Sequence, residues 1–222
     1  MQPILQTHPP VQHTVMIKAS HHPLVYPFFL WYSRRLIRRH FDRVNVVGDA
    51  LPTKGAILLL ANHISWWDGF WVAYLNTKHF RRLFHVMMTE EQLRKHPYFS
   101  HCGAFSIRKG HRSQVESLAY AASLLEDPTN LVLLFPQGII HSLYQAPLHF
   151  ERGVGQVLAK AAVTDCHVVF LLSLPDYLAT RKPSLTLYYE RYTGPCDNLE
   201  QVEAAYQVFQ THCLTRQSLL VE

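Results

Sequence analysis

Ala56-Ile57-Leu58-Leu59-Leu60-Ala61 is an unbroken apolar run, followed at once by Asn62-His63-Ile64-Ser65-Trp66-Trp67-Asp68. An apolar run without polar residues at alternate positions suits a strand covered on both faces, the habit of parallel strands in α/β domains. Similar runs recur at residues 83–88, 104–107, 131–135 and 167–174, with a shorter strand at 43–47 and a further one at 185–191. Between or after them, residues 66–77, 112–126, 150–163 and 199–213 read as helices. Alternation of this kind predicts one α/β domain, a mixed central sheet flanked by helices.

The rest of the composition bounds the class. With 222 residues, 48% hydrophobic and 17% charged, the chain is long enough for one substantial core. No stretch approaches the roughly 18 to 20 apolar residues that span a bilayer. The first residues lack the basic start and apolar stretch of a signal peptide. Cys102, Cys166, Cys196 and Cys213 are widely spaced, without a C-x-x-C pair. That pattern points to neither a zinc site nor a disulfide framework, and it fits a reduced, cytoplasmic setting. No metal is expected.

Three segments follow from organisation along the chain. Residues 1–22, rich in Gln, His and Pro, read as a flexible arm. Residues 23–42 read as an amphipathic basic helix, and residues 43–222 as the main domain. In the helix, Val25, Phe28, Phe29, Tyr32 and Leu36 recur at helical spacing, while Arg34 and Arg38 fall on the opposite side. Arg35, Arg39 and Arg43 add to the formal net charge of +5. An aromatic face flanked by arginines is the signature of a helix lying in a membrane interface and attracted to anionic lipid. The same pattern also fits a helix docked on its own domain with a solvated basic face. Nucleic acid is not expected as a partner, because no recognised binding motif accompanies the charge.

Ligand sites in open α/β sheets gather at the carboxyl ends of strands. Three strand exits carry unusual chemistry. At the first, His63 and Asp68 are five residues apart, which on a regular helix separates side chains by roughly 140°. They meet only if His63 precedes the helix and Asp68 lies in its first turn. Ser65 and Asp68 have the spacing of a capping box, which supports that arrangement. A carboxylate there would hold the imidazole in the tautomer whose free nitrogen takes a proton. In isolation, Asp68 as a plain capping residue and His63 as an ordinary loop histidine also explain the spacing. The second exit, Gly103-Ala104-Phe105-Ser106-Ile107-Arg108, ends on an arginine suited to an anion. The third, Phe135-Pro136-Gln137-Gly138, offers a glycine that lets the backbone approach a ligand and aim an N–H at an oxyanion.

Together these segments resemble the glycerolipid (lysophospholipid) acyltransferase family, which includes bacterial 1-acyl-glycerol-3-phosphate acyltransferases. Asn62, His63 and Asp68 match its N-H-x4-D motif. Gly103, Phe105, Ile107 and Arg108 match its second motif. Phe135, Pro136 and Gly138 match part of its third, F-P-E-G-T-R. The resemblance implies an acyltransferase that moves a fatty acyl group from acyl-CoA or acyl-carrier protein to a lysolipid-type acceptor. It implies His63 as general base, Asp68 as its orienter, and Gly103, Arg108, Phe135, Pro136, Gln137 and Gly138 as substrate-binding residues. It needs no cofactor beyond the thioester co-substrate. It implies a peripheral protein on the cytoplasmic face of an anionic membrane, with acyl-carrier protein as a further partner. The chain departs from the third motif at Gln137, Ile139 and Ile140, where the family has Glu, Thr and Arg. An isoleucine cannot bind an acceptor phosphate as that arginine does, so a lyso-aminolipid, a glycolipid or another hydroxylated lipid without that phosphate enters as an acceptor. A catalytically inactive lipid-binding protein on the same fold is the alternative reading.

Overall fold

In the computed structural model, which describes residues 16–108 and 112–220, the run at Ala56 is a strand whose six residues are all buried. It is β2 (Ala56–Ala61) of seven strands: β1 (Val44–Val47), β3 (Leu83–Thr89), β4 (Ala104–Ile107), β5 (Asn130–Leu134), β6 (Cys166–Asp176) and β7 (Ser184–Arg191) complete the set. They form one sheet in the order β1-β7-β6-β2-β5-β3-β4. Strands β6, β2, β5, β3 and β4 run parallel. β7 is antiparallel to β6 and carries β1 parallel to itself, so the sheet is mixed, as the sequence predicts.

Alternate residues of β2 serve two cores. Ile57, Leu59 and Ala61 pack beneath α1 (Val25–His40) and α2 (Asp68–Leu75). Ala56, Leu58 and Leu60 pack beneath α4 (Arg112–Leu124), α5 (Val154–Ala161) and α6 (Leu199–Ser218). A strand buried on both sides needs apolar residues at every position, which is why the run is unbroken. α2 is likewise buried over most of its length, at Phe70, Trp71, Val72, Ala73 and Leu75, and is apolar all round for that reason.

The helix after β2 starts at Asp68, two residues later than the apolar pattern suggests, because residues 65–68 form a tight turn first. It continues into a wide turn at Asn76–Phe80. A six-residue helix absent from the sequence reading, α3 (Glu90–Lys95), follows β3 and is capped by the Thr89 side chain. Its single turn and a half is too short for a periodic signal.

The arm expected over residues 1–22 lies outside the described residues for 1–15. Its last part runs along β4: Ser106 N–H donates to Ile17 O at 2.9 Å and Gly103 N–H to Ser20 O at 3.1 Å. The contact covers the edge strand, whose backbone groups would otherwise be unpaired. α1 docks through Phe29, Ser33, Leu36 and Ile37, and leaves Phe28, Trp31 and Tyr32 exposed beside Arg34, Arg35, Arg38 and Arg39. No helix among the described residues is long and apolar enough to cross a membrane.

Candidate active site

Where β2 ends, the chain turns away from the sheet and His63 meets Asp68. His63 Nδ1 lies 2.8 Å from Asp68 Oδ2. The same oxygen accepts the N–H groups of Ile64 at 2.8 Å and Ser65 at 2.9 Å. An oxygen that already accepts two backbone donors takes the imidazole as a third, so Nδ1 carries the proton and Nε2 carries the lone pair. The capping box expected at Ser65 does not form, because the helix N-cap is Trp67; Ser65 instead sits in the preceding turn, donating its N–H to Asp68 Oδ2 and accepting from Trp67 N–H at its Oγ at 3.1 Å.

Asp68 is almost completely buried, at 1% exposure. Burial raises its carboxyl pKa above the ordinary value, while the His63 hydrogen bond and the Ser65 and Ile64 N–H groups pull it down. Its Oδ1 is buried with no hydrogen-bond partner among the described residues, which is why burial outweighs the bonds at Oδ2.

Further contacts fix the histidine. Its ring stacks on Phe135 with centroids 4.1 Å apart and an interplanar angle of 15°. Its N–H donates to Gln137 Oε1 at 2.5 Å, and its carbonyl accepts from His141 N–H at 2.9 Å. Behind it, Asn62 is held by the Ser173 peptide, and Tyr206 Oη donates to Leu171 O at 2.8 Å, the carbonyl that Asn62 N–H also reaches. Ser173 and Tyr206 escape sequence reasoning because their partners are more than 30 residues away and leave no local pattern.

His63 opens onto a cavity of about 400 Å³, within the range of small-molecule sites. Its wall draws on both faces of the sheet: Phe29, Phe84 and Phe99 from one, Leu118, Leu134 and Val154 from the other. Gln92, Gln114, Thr89 and Glu151 supply polar groups among these apolar walls.

The other residues singled out by sequence fall in different places. Phe135, Pro136 and Gly138 line the cavity. Gly138 has a positive φ of 72°, but its own N–H donates to Phe135 O at 3.0 Å and is therefore not aimed at an oxyanion. Gln137 turns instead to the His63 main chain. Gly103 does not line the cavity. It immediately precedes β4, at the opposite end of the sheet from His63, with φ of 94° and so close to β3 that a Cβ there would lie 2.0 Å from Phe84 O. Its role is close strand packing. Arg108 does lie at the carboxyl end of β4, next to Ile107 of the cavity wall, and pairs with Glu90. The Nη2–Oε1 distance is 2.6 Å, and Arg94 Nε shares that oxygen at 2.8 Å. Burial tends to raise the Glu90 pKa, but the two arginines hold it below the ordinary carboxylate value. An anion that reaches Arg108 must compete with this carboxylate. No group of three or more metal-binding side chains occurs among the described residues.

An α/β sheet with a histidine–carboxylate pair at a strand exit, beside a largely apolar cavity, places a candidate general base next to a space that can hold an apolar ligand. Comparison with known families makes the class definite. A family model described as Acyltransferase matches residues 43–171, more than half of the chain. The protein belongs to that family, which comprises the lysophospholipid acyltransferases. No curated protein matches the chain significantly.

Proposed function

We propose that this acyltransferase moves a fatty acyl group from an acyl thioester, acyl-CoA or acyl-carrier protein, to the hydroxyl of a lysolipid-type acceptor. His63 Nε2 takes the hydroxyl proton as the oxygen attacks the thioester carbonyl. The tetrahedral intermediate then collapses, the C–S bond breaks, and the proton passes from His63 to the leaving thiolate. Asp68 keeps the imidazole in the reactive tautomer and steadies its charged form. The observation that carries this reading is the 2.8 Å contact between His63 Nδ1 and Asp68 Oδ2 at the edge of the apolar cavity. Apolar walls suit an acyl chain, and burying such a chain supplies binding free energy in proportion to its area. Ile139 and Ile140, about half exposed at the cavity edge, support an acceptor that brings no phosphate to that spot.

The enzyme acts as a peripheral protein on the cytoplasmic face of the membrane. The exposed Phe28 and Tyr32 of α1 and the exposed Trp66 and Trp67 all pack around the buried Phe70 or each other, an aromatic series that runs from the helix to the strand exit of His63. Tryptophan and tyrosine favour the membrane–water boundary, and the α1 arginines complement anionic lipid.

Thiol release from acyl-CoA tests the assignment when purified protein is offered lysolipids with and without a phosphate headgroup. Turnover with a lysolipid, abolished by His63→Ala, is the expected result. Turnover that survives the substitution overturns the role of His63. Lipid binding without thiol release from any thioester would favour an inactive lipid-binding protein. Lipid mass spectrometry of cells with and without the protein would then identify the acceptor.

A further inference from the structure

We propose that Gln137 is a positioning residue for His63. Its amide oxygen holds the histidine main chain from the neighbouring strand exit, and its neutrality leaves Asp68 as the carboxylate that governs the imidazole. This inference rests on the acyl-transfer reading above.

The register of the sheet places the two residues together. Leu60 of β2 pairs with Leu134 of β5, and His63 and Gln137 each lie three residues beyond that pair. Gln137 Oε1 accepts the His63 N–H at 2.5 Å. On the other side of the same residue, His141 N–H donates to the His63 carbonyl at 2.9 Å. The loop after β5 thus grips both polar groups of the His63 main chain, while Phe135 of the same segment supports the ring face. With Nδ1 bound to Asp68 and the ring face against Phe135, both the main chain and the ring of His63 are held. Gln137 borders a small crevice with Asn62 and Ile64, and it is not part of the large cavity wall. It is placed to act on the histidine and not on the acceptor.

The choice of an amide has a physical consequence. A carboxylate at position 137 would accept the same N–H with a stronger, charge-assisted bond. It would also set a second anion close to the buried Asp68. Two nearby anions disfavour each other's ionisation and favour the protonated form of an imidazole close to them, which is the wrong form for a base. A neutral acceptor fixes the main chain without that effect.

The test compares Gln137→Ala and Gln137→Glu with the wild-type full chain, using acyl-CoA and the acceptor that wild type acylates. Gln137→Ala lowers kcat by roughly 10- to 100-fold and leaves both KM values within about twofold, because misplacement of the base affects the chemical step. Its His63 amide proton resonance moves upfield as the hydrogen bond is lost. Gln137→Glu retains the bond and most of the maximal rate, but the acidic limb of its kcat/KM profile moves to higher pH by on the order of one unit. A wild-type kcat in the alanine variant, a raised acceptor KM at unchanged kcat, or an unmoved acidic limb in the glutamate variant each overturns the proposal. Absence of thiol release from wild type overturns the acyl-transfer reading instead, and the His63 amide shift then still reports on the hydrogen bond alone.

Discussion

The side-chain amide of Asn62 and the peptide of Ser173 face each other across β2 and β6 and exchange two hydrogen bonds. Asn62 Nδ2 donates to the Ser173 carbonyl at 3.1 Å, and Ser173 N–H donates to Asn62 Oδ1 at 2.8 Å. The side chain imitates a peptide and extends the ladder beyond Ala61, the last register pair of the two strands. His63 therefore leaves the sheet from a fixed point. Asn62→Ala should leave two buried backbone groups unsatisfied and lower stability by about 1–3 kcal/mol. A urea midpoint equal to that of wild type would contradict this account.

Asp68→Asn preserves volume but replaces an acceptor-only group with one that also donates. One oxygen then has to serve His63 and two backbone N–H groups without a formal charge. The expected result is a kcat lower by about 10³- to 10⁴-fold, the scale seen when a catalytic histidine loses its carboxylate. KM for the thioester should change little. Steady-state kinetics measures both, and far-UV circular dichroism checks that the fold survives.

Acid should destabilise the protein through His85. This side chain is 4% exposed, and burial, together with nearby His21, lowers its pKa to about 4. Above pH 6.5 it is neutral both folded and unfolded, so it makes no difference. Between pH 6.5 and about 4 the unfolded chain takes up a proton that the folded chain refuses, and stability falls as pH drops. The loss attributable to this residue reaches about 3 kcal/mol below that window. Denaturation curves at pH 7 and near pH 4 should therefore differ more for wild type than for His85→Gln.

Arg34, Arg35, Arg38 and Arg39 are all exposed on α1. Each is expected to contribute roughly 1 kcal/mol to binding an anionic surface at low salt. Replacement of all four by glutamine should weaken binding to vesicles rich in anionic lipid by about 100-fold or more, as measured by co-sedimentation. Raising the ionic strength should weaken wild-type binding in the same direction. Unchanged sedimentation would remove the arginines from membrane attachment.

The strands were legible because burial on both faces writes itself into consecutive residues. The β2 run from Ala56 to Ala61 and the β4 run from Ala104 to Ile107 have the bounds their apolar composition suggests. The His63–Asp68 contact was legible because both partners lie within one turn and the geometry of a helix start leaves few alternatives. The contacts of Gln137 with His63, of Glu90 with Arg108 and of Ser173 with Asn62 were not. Each joins residues that meet only after the sheet has brought distant segments together, and nothing adjacent in sequence marks the partner. Arg108 shows the same limit from the other side, since its position at a strand exit is local information and its pairing with Glu90 is not. α1 mixed two signals: Phe29 and Ile37 face the core, while Phe28 and Trp31 of the same helix face outward.

The reversed pair of strands at one edge of the sheet has a consequence for how the molecule can lie on a surface. Because β7 doubles back on β6 and β1 follows β7, β1 begins beside Leu185, at the edge where β2 ends. Asp42 N–H, just past α1, donates to Pro183 O at that edge. The arginine-bearing end of α1 and the mouth over His63 are thus brought to a common rim. Had β1 run with the other strands, the charged end would lie on the far side, and a protein held by its arginines would present its closed back to the lipid. Under the membrane attachment proposed above, strand direction acts as a compass that sets which way His63 faces the lipid.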